Sequence, residues 1–277
     1  MTEEEIIVEN DQNEETRIQL KIKSKIAYIT INTKMNTINI DVAKLLVKRL
    51  REAEENPKVS CVVLKSEGES VFSAGFDLAL FANGLNQEVV DNILSHGREI
   101  SRTIFFMKKP VIAQIQGKTI GLGCIIALSC DFRFVANKPD IFFQLPEIDL
   151  KIFPATGPTA MSLHVLGPVH AKEMLLTGKK VPLEQFDRWG GVTELVEPEL
   201  LGKTVKKFAR SLTQKPTELL HLVKPAINIM AYNKAKDWYD MENEMARHYF
   251  DGFFENPRDE IDAFIDKMWK KYGFGRP

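Results

Sequence analysis

The stretch "KPVIAQIQGKTIGLGCIIALSCDFRF", Lys109–Phe134, decides the fold class. Its first part, "KPVIAQIQG" (Lys109–Gly117), is a short apolar run halted by glycine, which predicts a buried strand. "GLGCIIALSCD" (Gly121–Asp131) is small and apolar, which predicts a buried helix opened by a glycine turn. "FRFV" (Phe132–Val135) is the next strand. Strand, turn, buried helix and strand in succession describe a crossover between parallel strands.

The same rhythm extends outward. "IAYITI" (Ile26–Ile31) alternates at period two, as a half-buried strand does. "DVAKLLVKRLREAEEN" (Asp41–Asn56) places Val42, Leu45, Leu46 and Leu50 on one helix face. "CVVLKS" (Cys61–Ser66) predicts a buried strand, followed by a loop at 68–78 and a helix over "VVDNILSHGREISRTIFFM", 89–107. Alternation to about residue 200 predicts an α/β layer of right-handed crossovers. Beyond Glu199 the pattern is helical only, in runs at 199–213, 216–236, 239–254 and 258–271. The expected organisation is a flexible leader (1–16), an α/β core (17–200) and a helical region (201–277) that covers a site or joins subunits.

Bulk composition excludes several classes. The chain has 277 residues, 44% apolar and 27% charged, with a net charge of −1. That balance favours neither nucleic acid nor an anionic membrane as the main partner. Apolar runs are strand-sized, far short of the ~20 residues that span a bilayer. The acidic start, "MTEEEIIVENDQNEE", has no apolar h-region. Three cysteines, Cys61, Cys124 and Cys130, match no disulfide framework or zinc pattern. A reducing, cytoplasmic setting without bound metal is expected.

Three motifs carry the chemistry. "VFSAGFDL" (Val71–Leu78) nearly forms the nucleophile elbow G-x-S-x-G around Ser73, but Val71 stands where the first glycine is needed. The better reading concerns the backbone. "SAGFD" and "GLG" (Gly121–Gly123) are both small-residue turns leading from a strand towards a helix, where N–H groups can hold an anion. A tight turn accounts for either loop alone. A dinucleotide fingerprint fails at Ile126, where a third glycine is required. In "FFQLPEIDL" (Phe142–Leu150), Glu147 and Asp149 lie among apolar residues, a setting that raises a carboxyl pKa and suits a general base. A strand edge or a helix cap explains that stretch equally well. Asp77 reads as an N-cap rather than a catalyst.

In order and spacing, these stretches resemble the crotonase, or enoyl-CoA hydratase/isomerase, superfamily from about Ile26 to Trp269. "FSAGFDL" looks like the family's F-[SC]-A-G-x-D-[LI] loop, and Lys109–Phe134 like its central segment. "LPEIDLKIFP", "AKEMLLTGKKV" and "FFENPRDEIDAFIDKMW" have counterparts too. The resemblance implies an α/β spiral of ββα units in two nearly perpendicular sheets, with a helical C-terminal region. It implies an oxyanion hole made by the backbone N–H groups of Phe76 and Leu122, gripping the thioester oxygen of an acyl-CoA. Ser73 is then a bystander. Main-chain atoms around Ala74, Phe76, Asp77 and Leu78, with the Gly121–Gly123 turn, would hold the CoA ester. "TKMNTI" matches the family's N-terminal motif only at Lys34 and Asn36, and Lys34 would reach the CoA phosphates.

The sequence departs from the hydratases at one catalytic position. Those enzymes carry two glutamates, and Glu147 fits the second, but Ile125 occupies the first. A single base opposite an oxyanion hole resembles a Δ3,Δ2-enoyl-CoA isomerase, with the CoA thioester as substrate and no cofactor. A second isomerase group places its base where this chain has Ala155, and dienoyl-CoA isomerases need acids at both Ile125 and Ala155. The alternatives are a hydratase using Asp149 or a water chain, a hydrolase or decarboxylase, and a non-catalytic acyl-CoA binder. An RNA-binding relative is disfavoured by the lack of a dense Lys/Arg segment. The resemblance further implies a trimer or a dimer of trimers, with Phe250, Phe253, Phe254 and Trp269 as interface or acyl-pocket residues. Phe142, Phe143 and Phe153 are expected to form a bulky pocket wall.

Overall fold

In the computed structural model, which describes residues 6–7, 17–81 and 87–252, the chain repeats one strand–strand–helix unit. It opens with β1 (Ile6–Ile7) and β2 (Ile18–Lys23), which pair antiparallel. The first unit is β3 (Ile26–Ile31), β4 (Thr37–Ile38) and α1 (Ile40–Glu55). The second is β5 (Cys61–Ser66), β6 (Val71–Ser73), the short β7 (Gly75–Phe76) and α2 (Gln87–Phe106). The third is β8 (Val111–Ile115), β9 (Lys118–Ile120) and α3 (Leu122–Ser129). The fourth is β10 (Phe132–Ala136), β11 (Phe142–Gln144) and α4 (Pro158–Thr177). Then come β12 (Val181–Pro182), α5 (Leu183–Arg188), β13 (Glu194–Val196), α6 (Leu201–Thr213) and α7 (Thr217–Gly252).

The large sheet runs β1-β2-β3-β5-β8-β10-β13 and the small one β12-β11-β9-β6, while β4 pairs with β7. From β3 onward the large sheet is parallel and follows chain order, as do β6, β9 and β11 in the small sheet. Each turn therefore adds one strand to the large sheet before a helix returns the chain. This is the expected ββα spiral.

Local chemistry explains the elements. Asn39 starts α1, its side chain accepting the Val42 N–H at 2.9 Å, and Val42, Leu46, Val47, Leu50 and Ala53 form the buried face. Every residue of α3 is buried. Two expectations need correction. β3 is not half-buried: only Tyr28 is partly exposed, because α1 and α6 both pack against it. The runs 216–236 and 239–254 are one helix, α7, since Asp237 and Trp238 supply neither glycine nor proline to break it. The run at 258–271 lies outside the described residues, as do Phe253, Phe254, Trp269, the Phe250 side chain and, apart from β1, the leader.

α7 is pinned to the core by a buried cation. Lys224, 7% exposed, donates to the carbonyls of Ile104 (3.0 Å) and Lys109 (3.1 Å) and pairs with Asp131 Oδ2 at 2.8 Å. Asn228 donates to the Phe105 carbonyl at 2.6 Å. Two carbonyls in the last turn of α2, those of Ile104 and Phe105, are thus satisfied from α7. Replacing Lys224 by Met removes the ion pair from Asp131, which keeps the Val111 N–H (2.7 Å), and the donor from two carbonyls, and is expected to cost roughly 1.5–3 kcal/mol in chemical denaturation. A loss below about 0.5 kcal/mol, typical of surface positions, would contradict this role.

Candidate active site

Parallel pairing brings three strand ends to one place. In the small sheet β9 lies between β6 and β11, with Ser73 paired to Thr119 and Gln144 to Ile120. The loop after β6, the Gly121 turn after β9 and the Pro146–Glu147 turn after β11 therefore emerge side by side, at the carboxyl ends where α/β sheets bind ligands. The Gly121 N–H donates to the Gln144 carbonyl at 2.9 Å, locking two of the loops together.

Gly75 brings the third loop in. It sits at φ +86°, and a Cβ there would fall 2.9 Å from the Ile120 carbonyl and 3.0 Å from the Leu122 nitrogen. Only glycine allows both the conformation and the approach. Leu122 opens α3 after Gly121 (φ +52°), so its N–H precedes the first helical hydrogen bond, which runs from the Ile125 N–H to the Gly121 carbonyl at 3.1 Å. On the other loop, the Asp77 N–H donates to the Ile38 carbonyl of β4 at 3.0 Å. Successive N–H groups along a strand alternate in direction, so the Phe76 N–H points away from β4. Gly123 packs as closely: a Cβ on it would lie 2.5 Å from the Ser73 carbonyl.

Between these loops lies a cavity of about 540 Å³. Its wall includes Ala74, Phe76, Leu78, Gly121, Leu122, Ile125 and Glu147 from the expected set. Val90, Ile93 and Leu94 of α2, with Ile152, Phe153, Ala155 and Thr156, are also part of it. Among the described lining residues, Glu147 and Thr156 are the only polar side chains. Glu147 Oε1 faces the Gly121 turn, 3.9 Å from where a Cβ on Gly121 would stand. Glu147 as a residue is partly exposed, yet its Oε2 is shut off from solvent and has no hydrogen-bond partner. Burial pushes this carboxyl up to about 7, offset only in part by its own main-chain N–H. The Glu147 carbonyl in turn accepts the Ile152 N–H at 2.9 Å, closing the loop under the carboxyl.

Other expected residues fall elsewhere. Lys34 is exposed and outside the cavity wall, in a turn beside it where the Met35 carbonyl accepts the Ala74 N–H at 3.1 Å. Asp77 does not start α2, which begins at Gln87; its Oδ1 accepts the Ala79 N–H at 3.0 Å and so caps the short turn Leu78–Phe81. Asp149 is exposed and packs against Gly178. Of the aromatic trio only Phe153 lines the cavity. Phe143 is fully buried and stacks on Phe186 at 3.8 Å, and Phe142 lies under Lys180. Adjacent residues of β11 point to opposite faces of the sheet, so the two rings part, one to the Phe186 stack and one to Lys180, and neither lines the cavity. Among the described residues no cluster of His, Cys, Asp and Glu could hold a metal, and no helix is long and apolar enough to cross a membrane.

Ser73 corrects the sequence reading most clearly. It is neither nucleophile nor bystander: at 0% exposure its hydroxyl donates to the Asn36 carbonyl (2.7 Å) and accepts the Gly75 N–H (3.1 Å). It holds Gly75 where the two turns meet.

Comparisons with known proteins agree with this architecture. A family model described as "Enoyl-CoA hydratase/isomerase" matches residues 21–273. The chain is 32% identical over 213 residues to a crotonyl-CoA hydratase of Syntrophomonas wolfei, covering 76% of this chain and 81% of that protein. It is 30% identical over 250 residues to a short-chain-enoyl-CoA hydratase of Clostridium acetobutylicum, covering 90% and 94%. A crystal structure of an enoyl-CoA hydratase from Bacillus anthracis superposes with a TM-score of 0.73 at 25% identity, covering 91% of this chain and 96% of that one.

Replacing Ser73 by Ala leaves the buried Gly75 N–H without its acceptor. The expected loss is about 1–3 kcal/mol of unfolding free energy, with weaker turnover as the loop loosens. Wild-type stability in urea would return Ser73 to the status of bystander.

Proposed function

Because the chain belongs to the enoyl-CoA hydratase/isomerase family, we propose that this cavity binds an enoyl-CoA thioester and that Glu147 is its single catalytic base. One observation carries the reading: among the described lining residues, the one acidic side chain, in a wall that is apolar but for Thr156, is a desolvated carboxyl opposite the turn that presents the Leu122 N–H. The backbone N–H groups of Phe76 and Leu122 form the oxyanion hole. They take up the negative charge as the thioester becomes an enolate, and losing one such donor typically costs about 2.7–4 kcal/mol of transition-state stabilisation.

The reaction is Δ3,Δ2-enoyl-CoA isomerisation. The Glu147 carboxylate removes a proton from C2 of a 3-enoyl-CoA, and the electron pair spreads into a dienolate held at the thioester oxygen. The same carboxyl returns the proton to C4, giving the conjugated 2-enoyl ester. Atoms and electrons balance without a cofactor. Ile125, 1% exposed in the wall, keeps water from adding to the product. A base poised near 7 matches the task. The CoA moiety runs along the main chain of Ala74, Phe76, Asp77 and Leu78, with the Gly121–Gly123 turn beneath it and exposed Lys34 reaching its phosphates.

A second reading has one specific support: the relatives at 32% and 30% identity are named hydratases. In that case Glu147 alone would both activate water and return a proton. For assembly, we place a neighbouring subunit of a trimer or hexamer on the outer face of α7. There Leu219, Leu222, Val223 and Ile227 are 55–66% exposed at helical spacing. The setting proposed is cytoplasmic.

Glu147→Gln is expected to abolish proton transfer while acyl-CoA binding persists, checked by turnover and calorimetric titration; unchanged turnover would remove Glu147 from the mechanism. In the wild type, kcat/KM should rise with pH through about 7 as the base ionises. A flat profile between pH 5 and pH 9, roughly two units either side of that value, contradicts this assignment. Stability moves the opposite way. The folded carboxyl sits at about 7 against an ordinary 4.5, so the cost of ionising it is absent below the lower value and complete above the higher. Glu147→Gln should therefore stabilise the fold at alkaline pH, on the order of 3 kcal/mol, and leave it unchanged in acid. Equal denaturation midpoints at both extremes would contradict the burial of this charge.

A further inference from the structure

A second carboxyl, brought in by α7, shares the loop that carries Glu147. Glu242 is 2% exposed. Its Oε1 accepts the Thr159 N–H at 3.2 Å and its carboxyl also takes hydrogen bonds from the Thr159 side chain and the Gly157 backbone, while Oε2 is buried with no partner. Glu147 begins this loop, Ile152, Phe153, Ala155 and Thr156 line the cavity, and Gly157–Thr159 at its end is what Glu242 grips. One turn further along α7, Ala246 packs with Val90, Leu94, Ile152, Phe153 and Ala155, against the same wall. The face of α7 that carries Glu242 is therefore the outer layer of the cavity.

An ordinary helix cap is solvated and ionised. This one is buried with a bare oxygen, so its charged form is costly. Other charges on the packed elements are spent elsewhere. Arg98 and Asp91 of α2 pair with Asp240 and Arg247 of α7 at the exposed rim. On α4, His164 lies edge-on to Phe105, and His170 faces Glu173, which pairs with Lys179. Glu244 of α7 has an interaction of its own, and Asp149 and Lys151 of the loop are exposed. Glu147 is the group that acts on Glu242 as a charge. Two such carboxyls in one apolar layer do not both ionise cheaply.

We propose that Glu242 is a positioning residue of this site, clamping the Ala155–Thr159 wall as a neutral acid so that Glu147 is the one ionised carboxylate. The proposal rests on the reading of Glu147 as the base. Burial raises both carboxyls, but Glu147 opens onto the cavity and is partly exposed whereas Glu242 is 2% exposed, so Glu147 is the cheaper of the two to ionise. Ionisation of Glu242 then places a second negative charge behind the developing enolate, and turnover declines on the alkaline side.

The test is infrared titration of carboxyl C=O bands in the full-length protein labelled with ¹³C-glutamate, comparing wild type, Glu147→Gln and Glu242→Gln. The band missing from Glu242→Gln identifies Glu242. It should persist to higher pH than the Glu147 band, and its midpoint should shift to lower pH in Glu147→Gln. A midpoint unmoved by Glu147→Gln, or a Glu242 already ionised when Glu147 titrates, overturns the proposal. In turnover assays Glu242→Gln should lose the alkaline decline, whereas its retention also overturns the proposal. The spectra do not depend on turnover. Coupled bands in a protein that turns over no enoyl-CoA would therefore sink the base assignment and leave the clamp standing.

Discussion

The site depends on one close contact: Gly75 against the Gly121–Leu122 turn, with no side chain between them. A Cβ at Gly75 would fall 3.0 Å from the Leu122 nitrogen and 2.9 Å from the Ile120 carbonyl. Neither N–H of the proposed oxyanion hole comes from a side chain, so their separation is set by how nearly two backbones approach. The rest of the spiral serves that approach. Parallel pairing of β6, β9 and β11 brings the loops to one edge, Ser73 ties Gly75 to the Lys34–Asn36 turn, and Gly123 lets α3 press on β6.

The second element is a carboxyl kept from water. Glu147 leaves β11 through Pro146 into a turn whose polar groups are satisfied by its own backbone, leaving the side chain among Ile, Leu and Phe. Desolvation alone raises its proton affinity to the range useful near neutral pH. Burying such a group costs stability, which is the usual relation between a poised site and the scaffold that holds it. Ile125 bears on the proposed reaction: a second acid there would solvate a water, whereas isoleucine offers neither a proton nor a hydrogen bond.

Much of this was legible in the sequence, for physical reasons. Long amphipathic helices and continuous apolar strands announce themselves by period, and α1, α3, β5 and β8 appear where Asp41–Asn56, Gly121–Asp131, Cys61–Ser66 and Lys109–Gly117 put them. The short strands β9 and β11 had too few residues to show a period. Ile18, Leu20 and Ile22 did alternate, so β2 could have been found, closed onto β3 by Ser24 and Lys25 at positive φ. Glu147 stood out because apolar neighbours surround it in sequence. Glu242 did not, because "MENEMARHYF" reads as a solvated helix face, and only tertiary packing under α4 buries it. Ser73 was misjudged because a hydroxyl that caps a backbone N–H leaves no mark beyond its residue type. The wall residues Val90, Ile93 and Leu94 look like any helix core until the fold places a cavity beside them.

The central claim is that a lone desolvated glutamate facing two backbone donors shuttles a proton between carbons instead of adding water. The most direct measurement incubates the purified protein in D₂O with 3-hexenoyl-CoA and, separately, with trans-2-hexenoyl-CoA, following conjugated-thioester absorbance and product mass. The account predicts that the 3-enoyl ester becomes the 2-enoyl ester without a water adduct. Rapid conversion of the 2-enoyl ester to a species heavier by one water would contradict it.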